Sequence, residues 1–146
     1  MKIAVIDGQG GGIGFEIISQ LRALFPEDTT LFALGTNAAA TSRMMKAKAT
    51  QGATGENAII CTVARVDLII GTLDLLIADS LMGEITASVS AAIARSSANK
   101  ILLPMNRAGV EVVTSTKKPL PHLFEDLEKV LREHYPQTWR DENVRS

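Results

Sequence analysis

The sequence has only one cysteine and no long apolar run, and each shortage excludes a class of protein. The single cysteine, Cys61, excludes an internal disulfide and a cysteine-based metal site. Charged residues interrupt the most apolar region at Arg65, Asp67, Asp74 and Asp79, and no stretch reaches the roughly 18 apolar residues of a membrane span. The sequence therefore predicts a cytoplasmic protein.

An excess of charge of either sign is also lacking. The chain carries 15 Lys and Arg against 16 Asp and Glu, a formal net charge of −1. This balance gives no electrostatic reason to expect nucleic acid or an anionic membrane as a partner. Its 146 residues, 46% of them apolar, are enough for one domain with a full core. We expect one domain over residues 1–135, a polar tail over residues 136–146, and a homo-oligomer, because so small a domain needs a neighbour to close over a cofactor.

Glycine is concentrated in one stretch near the N-terminus. Residues 7–14 read DGQGGGIG, follow the apolar run 3–6 and precede a helical pattern of apolar residues from Ile17 to Phe25. A strand, a glycine turn and a helix in this order bring backbone N–H groups together around a phosphate. We expect this loop to bind a nucleotide or dinucleotide. The expected binding residues in it are Gly8, Gln9, Gly10, Gly11, Gly12, Ile13 and Gly14.

The spacing of the glycines resembles the cofactor loop of short-chain dehydrogenases. The pattern G-x-x-x-G-x-G is met by Gly8, Gly12 and Gly14, whereas G-x-G-x-x-G fails because Ile13 stands at its last position. In this interpretation Gly8 permits a tight turn, Gly12 lets a diphosphate approach the backbone, and Gly14 lets the helix pack on the sheet. The resemblance implies NADP or NAD as the cofactor.

The catalytic residues of that family are missing. The family requires a Tyr-x-x-x-Lys pair, but the only tyrosine is Tyr135, and Trp139 stands at the lysine position. His122 and His134 are twelve residues apart and do not form a metal-ligand pair. Cys61 lies in an apolar run, which favours a core residue over a nucleophile. The sequence therefore assigns no catalytic residue.

Asp7 ends the first strand directly before the glycines, where a carboxylate repels an unshielded diphosphate. It could accept N–H hydrogen bonds from the turn, bind magnesium, or act as a phosphatase-type nucleophile. The Asp-x-Asp spacing of aspartate-nucleophile phosphatases is missing, since Gln9 stands two residues on. The favoured interpretation is that Asp7 caps the glycine turn.

Selectivity for the ribose of a dinucleotide is expected at the end of the second strand. An Asp or Glu belongs about 20 residues after the glycines, but the strand ends with Leu34 and Gly35, followed by Thr36 and Asn37. Thr36 and Asn37 either bind a ribose hydroxyl or only cap the next helix, and both interpretations stay open. Arg43 could reach a 2′-phosphate, which makes NADP a slightly better fit than NAD.

Further polar residues are expected on the loops that follow the strands, where α/β proteins build their sites. They could contact a ligand or serve only as turn and capping residues. They are Thr54, Glu56, Asn57, Asp79, Ser80, Glu84, Thr86 and Asn106.

Alternating apolar runs and helical patterns predict an α/β fold, a Rossmann-like doubly wound sheet of about five mostly parallel strands. The predicted strands are residues 2–7, 31–34, 68–71, 100–104 and 110–114. Only about five residues separate the last two, and a parallel crossover needs a dozen or more, so the fifth strand is expected to be antiparallel at an edge. The predicted helices follow the glycine loop to about residue 24 and cover about residues 37–48, 58–64, 84–98 and 120–135, with a loop over 52–57. One strand between the second helix and the helix at 84–98 favours the strand order 2-1-3-4-5.

The chain also resembles a small bacterial family to which no function is assigned. The resemblance rests on DGQGGGIG at 7–14, ALGTNA at 33–38, GATGENAI at 52–59, GEIT at 83–86 and KPLP at 118–121. It implies a Rossmann-like fold and supplies no substrate or catalytic residue.

Three functions stay open. The first hypothesis is a stand-alone nucleotide- or dinucleotide-binding protein, because the glycine loop is complete and no catalytic set accompanies it. The second is an enzyme with a non-standard site, either an NAD(P)-dependent oxidoreductase or a magnesium-dependent phosphoryl-group enzyme that uses Asp7. The third is a non-catalytic assembly protein whose glycine loop is purely structural.

Overall fold

The first strand, β1 (Lys2–Asp7), lies in the middle of a five-stranded sheet. The structure is a computed structural model that describes residues 1–105, 109–113 and 117–136. The other strands are β2 (Thr30–Gly35), β3 (Gln51–Thr54), β4 (Leu68–Thr72) and β5 (Asn99–Leu103). The helices are α1 (Gly12–Leu24), α2 (Ala38–Met45), α3 (Glu56–Val63), α4 (Ala87–Arg95) and α5 (Leu120–His134), with a short 3-10 helix over Leu73–Leu76.

The sheet is covered on both faces, and the side chains of β1 alternate between two cores. Ile3 and Val5 pack with α1, α2 and α5 on one face, whereas Ala4 and Ile6 pack with α3 and α4 on the other. Each of these four side chains is at most 1% exposed. The strand order is β3-β2-β1-β4-β5 and every neighbouring pair is parallel. This is the order of the first five strands of a Rossmann sheet, which confirms the Rossmann-like α/β fold.

The prediction of a loop over residues 52–57 misses β3. This strand pairs with β2 from Phe32 and Gln51 to Gly35 and Thr54. It lies at the edge of the sheet, and three of its four residues are exposed. Its sequence, QGAT, therefore does not need the apolar run that marks a buried strand. The four predicted strands that the structure contains lie side by side in the order predicted for them, β2-β1-β4-β5. β3 extends the sheet beyond β2, so the full order is 3-2-1-4-5 and not 2-1-3-4-5.

The predicted antiparallel edge strand over residues 110–114 is also wrong. Residues 110–113 belong to no strand, and the side chains of Val110 and Val113 are 42% and 99% exposed. Thr114 lies outside the described residues. A preference for strands reflects packing on a half-buried sheet surface, and these exposed valines have no such surface beneath them.

The predicted helices are present, with shifted ends. α3 confirms the helix expected at residues 58–64 and begins earlier, at Glu56. α4 begins at Ala87 because Thr86 is its N-cap and accepts a hydrogen bond from the amide of Val89 at 3.2 Å. In the described ranges, no helix combines the length and apolar character needed to cross a membrane.

Cys61 is exposed on α3, so the prediction that it is a core residue is wrong. The buried side chains of this helix are Ile59, Thr62 and Val63. Cys61 lies on the opposite face, with its Sγ 3.7 Å from Oδ1 of Asn57 one turn earlier. An apolar run in a helix includes positions on its outer face, because the helical period turns every third or fourth residue outward.

Gly11 and Gly14 let α1 begin in close contact with α2. A Cβ on Gly11 would stand 2.7 Å from the carbonyl oxygen of Ala40, and the φ of Gly11 is 71°, which favours glycine. A Cβ on Gly14 would collide with the buried side chain of Met44 and would stand 2.9 Å from the Cβ of Asp7 in β1. Gly14 therefore has the packing role expected of it. Gly10 differs from both, because a Cβ there would meet no atom within 4 Å.

Asp74 is a buried carboxylic acid in the 3-10 helix after β4, with only 1% of its surface exposed. Its backbone oxygen accepts a hydrogen bond from the hydroxyl of Ser80 at 2.6 Å. Neither carboxylate oxygen has a hydrogen-bond partner within the described part of the chain. Burial raises the pKa of Asp74 to about 6, because the charged form loses its hydration without compensation. Ionised Asp74 therefore destabilises the folded protein.

We expect Gly11→Ala to destabilise the protein and Gly10→Ala to leave it stable. Alanine at position 11 would adopt a positive φ and press on the backbone of Ala40, with a loss of about 1–3 kcal/mol in the free energy of unfolding. Gly10→Ala should stay within about 0.5 kcal/mol of the wild-type value. Urea unfolding followed by circular dichroism measures both, and equal values would contradict the packing role of Gly11.

We expect Asp74→Asn to stabilise the protein at pH 8 and to have a much smaller effect at pH 4. The folded-state pKa near 6 lies above the usual 3.8, so the folded protein holds this proton longer and loses stability as the pH rises through this interval. The gain of the variant over wild type should increase by up to about 3 kcal/mol from pH 4 to pH 8. Urea unfolding at both pH values measures the gain, with the exposed Asp28→Asn as control. A pH-independent gain would refute this account.

Candidate functional site

The glycine loop is held by the carboxylate at the end of β1. Oδ1 of Asp7 accepts a hydrogen bond from the amide of Gly8 and Oδ2 accepts one from the amide of Gly14, each at 2.8 Å. The carboxylate thus connects the two ends of the loop, and the capping role preferred for Asp7 is confirmed. Burial raises the pKa of Asp7. The two amides oppose this effect, Glu84 raises the pKa further and Arg43 lowers it.

Between its two ends, the loop leaves three amides free. No acceptor for the amides of Gly10, Gly12 and Ile13 is found in residues 1–105, 109–113 and 117–136. Gly12 and Ile13 open α1, and their N-cap, Gly11, has no side chain that could bond to them. Unpaired N–H groups at the start of a helix carry the partial positive charge to which anions bind.

A cation lies beside these amides. The guanidinium of Arg43, on α2, is 3.6–3.7 Å from the position that a Cβ on Gly12 would take, and its carbon is 6.0 Å from the ring centroid of Phe15. Arg43 is exposed and forms no ion pair with a residue that the structure describes. The start of α1 therefore combines free backbone donors with a guanidinium that forms no direct ion pair among the described residues, although it is near enough to Asp7 to lower the pKa of that carboxyl.

The glycines of the loop are not all needed for the same structural reason. Positive φ angles occur at Gln9 (48°) and Gly11 (71°), so the tight turn expected at Gly8 is centred further along. A Cβ on Gly8 would stand 2.8 Å from Oγ1 of Thr36, which makes Gly8 a position of close approach instead. Gly10 has neither a positive φ nor an atom near its Cβ position. Nothing in the described chain requires glycine at Gly10.

Glu84 brings a second carboxylate to the loop. Its Oε1 accepts hydrogen bonds from Oγ1 of Thr36 at 3.0 Å and from Nδ2 of Asn37 at 2.6 Å. Both of its oxygens lie 3.1–3.2 Å from the amide nitrogen of Gln9. The sequence named these four residues as separate candidates, and the structure brings them together into one hydrogen-bonded group.

Asn37 has two roles at the end of β2. Its Oδ1 accepts a hydrogen bond from the amide of Ala40 at 2.9 Å, which confirms it as the N-cap of α2. Its Nδ2 donates to Glu84 and also to the carbonyl of Gln9 at 3.0 Å. Thr36 does not cap the helix, because its hydroxyl donates to Glu84. Asn37 therefore caps α2 and also belongs to the hydrogen-bonded group around Glu84.

The turn that carries Glu84 has a strained backbone. Asp79, Leu81 and Met82 have φ angles of 62°, 53° and 55°, and Gly83 follows with 87°. A left-handed conformation costs a non-glycine residue on the order of 1–3 kcal/mol, and such residues cluster at functional sites. Hydrogen bonds from the amide of Gly83 to the carbonyls of Asp79 and Ser80, each at 3.1 Å, close the turn. The fold thus maintains a strained turn that holds Glu84 against the glycine loop.

The other candidates from the sequence do not contact the loop. Four of them bond to neighbouring groups, in the pairs Thr54–Thr41 at 2.7 Å, Glu56–Thr86 at 2.5 Å and Ser80–Asp74 at 2.6 Å. Asn57 lies next to Cys61, Asp79 is exposed, and Asn106 lies outside the described residues. Over the described ranges, no group of three or more His, Cys, Asp or Glu side chains is placed to hold a metal ion.

Asp74 is the residue of this region that the sequence patterns did not single out. It stands in the sequence LDLL directly after the all-buried β4. A lone acid among leucines, next to a buried strand, is the signal that could have identified it. Asp7 ends β1 and Asp74 follows the neighbouring parallel strand β4, so both lie at the carboxyl ends of the strands.

Comparisons with known proteins bear on the family and on the fold. Among curated proteins, none matches the sequence. Among solved structures, the chain is similar to a dodecameric FMN-dependent UbiX-like decarboxylase from Escherichia coli O157:H7. The sequence identity is 13%, the match covers 95% of this chain and 97% of that chain, and the TM-score is 0.45.

The assignment of the chain to a family rests on a match over almost its whole length. Residues 2–135 match the family described as a domain of unknown function, DUF3842. The match includes the glycine loop, the group around Glu84 and α5. The resemblance to a family without assigned function is thereby confirmed, and the chain belongs to the DUF3842 family.

Proposed function

We propose that this protein binds a nucleotide or dinucleotide through residues 8–14, with phosphate oxygens on the amides of Gly10, Gly12 and Ile13. The observation that carries the proposal is that these amides have no acceptor among the described residues and lie beside Arg43. Water can occupy them in the free protein, but a phosphate adds charge-assisted hydrogen bonds and the attraction of the helix N-terminus. The arrangement therefore favours a ligand with phosphate groups.

Gly10 supports the same proposal. A side chain at this position would project into open space, since no atom lies within 4 Å of its Cβ position. Its φ is also accessible to other residues, because it is not among the positive values. Glycine at this position therefore serves an approach from outside the chain, and a phosphate or sugar that rests on the backbone accounts for it.

Asp7 has a structural part in this function. Each of its oxygens already accepts an amide at 2.8 Å, and these two bonds give the loop its shape. The repulsion between Asp7 and a bound phosphate is offset by Arg43 and by the free amides. We therefore propose a nucleotide-binding protein and assign Asp7 no chemical step.

Addition of nucleotides to the full chain tests the proposal. We expect at least one of NAD, NADP, ATP and FMN to raise the Tm, because a ligand at 100 times its Kd stabilises the folded state by about 2.7 kcal/mol. Differential scanning fluorimetry measures the change and titration calorimetry then gives the Kd. An unchanged Tm with all four would refute the proposal.

Two substitutions locate the phosphate site. Arg43→Gln removes one charge-assisted contact and should weaken binding about tenfold, with a smaller salt dependence of the Kd. Lys46→Gln, an exposed cation at the end of α2, is the matched control and should leave the Kd nearly unchanged. Gly10→Ala should weaken binding while the free energy of unfolding stays near the wild-type value. If Arg43→Gln and Gly10→Ala bind with the same Kd as Lys46→Gln, the phosphates do not bind at this position.

A further inference from the structure

The end of β2 has no acid of its own but receives one from another part of the fold. Thr36 and Asn37 follow β2, whereas Glu84 belongs to the connection between β4 and α4. Because β2 and β4 lie on opposite sides of β1, this connection passes the carboxyl end of β1 to reach β2. Hydrogen bonds of 3.0 Å from Thr36 and 2.6 Å from Asn37 hold the Glu84 carboxylate there.

We propose that Glu84 recognises the ribose of the bound nucleotide by accepting hydrogen bonds from its 2′- and 3′-hydroxyls, and that it thereby selects nucleotides with a free 2′-hydroxyl. This inference rests on the proposed function and specifies the ligand of the same site. In dinucleotide-binding sheets, an acid about 20 residues after the glycines binds the ribose. In this protein the acid comes from a turn that is distant in sequence.

The Glu84 carboxylate has acceptor capacity left for a ligand. An ionised carboxylate has two oxygens and about four acceptor positions. Oε1 is near three donors, whereas Oε2 has the amide of Gln9 at 3.1 Å as its one donor in the described chain. Ribose hydroxyls, which are donors, complement this oxygen.

Charge distinguishes a free 2′-hydroxyl from a 2′-phosphate at this position. A 2′-phosphate would put a second anion beside Glu84, and like charges at hydrogen-bond distance repel. Arg43, the cation considered for a 2′-phosphate, lies at the first turn of α1 beside Gly12. The slight preference for NADP suggested by the sequence is therefore replaced by a preference for NAD.

The strained turn before Glu84 points in the same direction. Three non-glycine residues, Asp79, Leu81 and Met82, have positive φ angles immediately before this carboxylate. Strain of this kind persists where the surrounding structure holds a group in a functional position. The position of Glu84 is therefore maintained against the local preference of the backbone.

Titration calorimetry of the full chain with NAD and NADP tests the inference. Wild type should bind NAD about tenfold tighter than NADP or better. Glu84→Gln should weaken NAD binding about tenfold and bring the ratio of the two Kd values close to one. Glu56→Gln is the matched control, because its carboxylate bonds to Thr86 and not to the glycine loop, and it should keep the wild-type ratio.

The outcomes separate this inference from the proposed function. Equal Kd values for NAD and NADP in wild type, or an unchanged ratio in Glu84→Gln, would overturn ribose recognition and leave nucleotide binding standing. Tighter binding of both by Glu84→Gln would also overturn it, because Glu84 would then be an internal anion that competes with the ligand. Binding of none of NAD, NADP, ATP and FMN by wild type would overturn both proposals.

A comparison of two ligands on the wild-type protein does not depend on whether a variant folds. 2′-Deoxy-ATP lacks the hydroxyl that Glu84 is proposed to recognise and should bind about tenfold more weakly than ATP. Equal affinity for the two would overturn the inference without any substitution.

Discussion

The two hydrogen bonds that the Asp7 carboxylate accepts from Gly8 and Gly14 are the constraint on which the site depends. They connect the end of β1 to the first turn of α1 and determine the path of the residues between. Burial of a carboxylate is unfavourable unless donors compensate it, and the two amides supply that compensation. These bonds use the amides at the ends of the loop, and the amides of Gly10, Gly12 and Ile13 remain without an acceptor among the described residues.

Two carboxylates and one cation lie around the glycine loop. Asp7 lies beneath the loop, Glu84 bonds to its outer side through Gln9, and Arg43 lies at the start of α1. A phosphate is repelled by the acids and attracted by the guanidinium, the free amides and the helix N-terminus. In the proposed function, the phosphates bind on the α1 side of the loop and the sugar hydroxyls on the Glu84 side.

Local sequence signals were sufficient where one element determines its own structure. The apolar run of β1, the glycine loop, the N-cap at Asn37 and the capping role of Asp7 each depend on residues within one strand–turn–helix unit. The wrong strand predictions concern exposed segments, where the apolar pattern of the sequence does not match the secondary structure. β3 is an exposed edge strand without an apolar run, and residues 110–113 have a strand pattern without a sheet beneath them.

The sequence by itself determined a Rossmann-like α/β fold and the position of its glycine loop, because hydrophobic periodicity and glycine content act over a few residues. Only the tertiary structure decided that β3 forms the edge of the sheet and that Glu84 joins Thr36 and Asn37, which are 48 and 47 residues away in the chain. It also decided the burial of Asp74. The physical reason is that contacts between distant residues depend on where the loops between strands lie in space, and no pattern over a few residues records this.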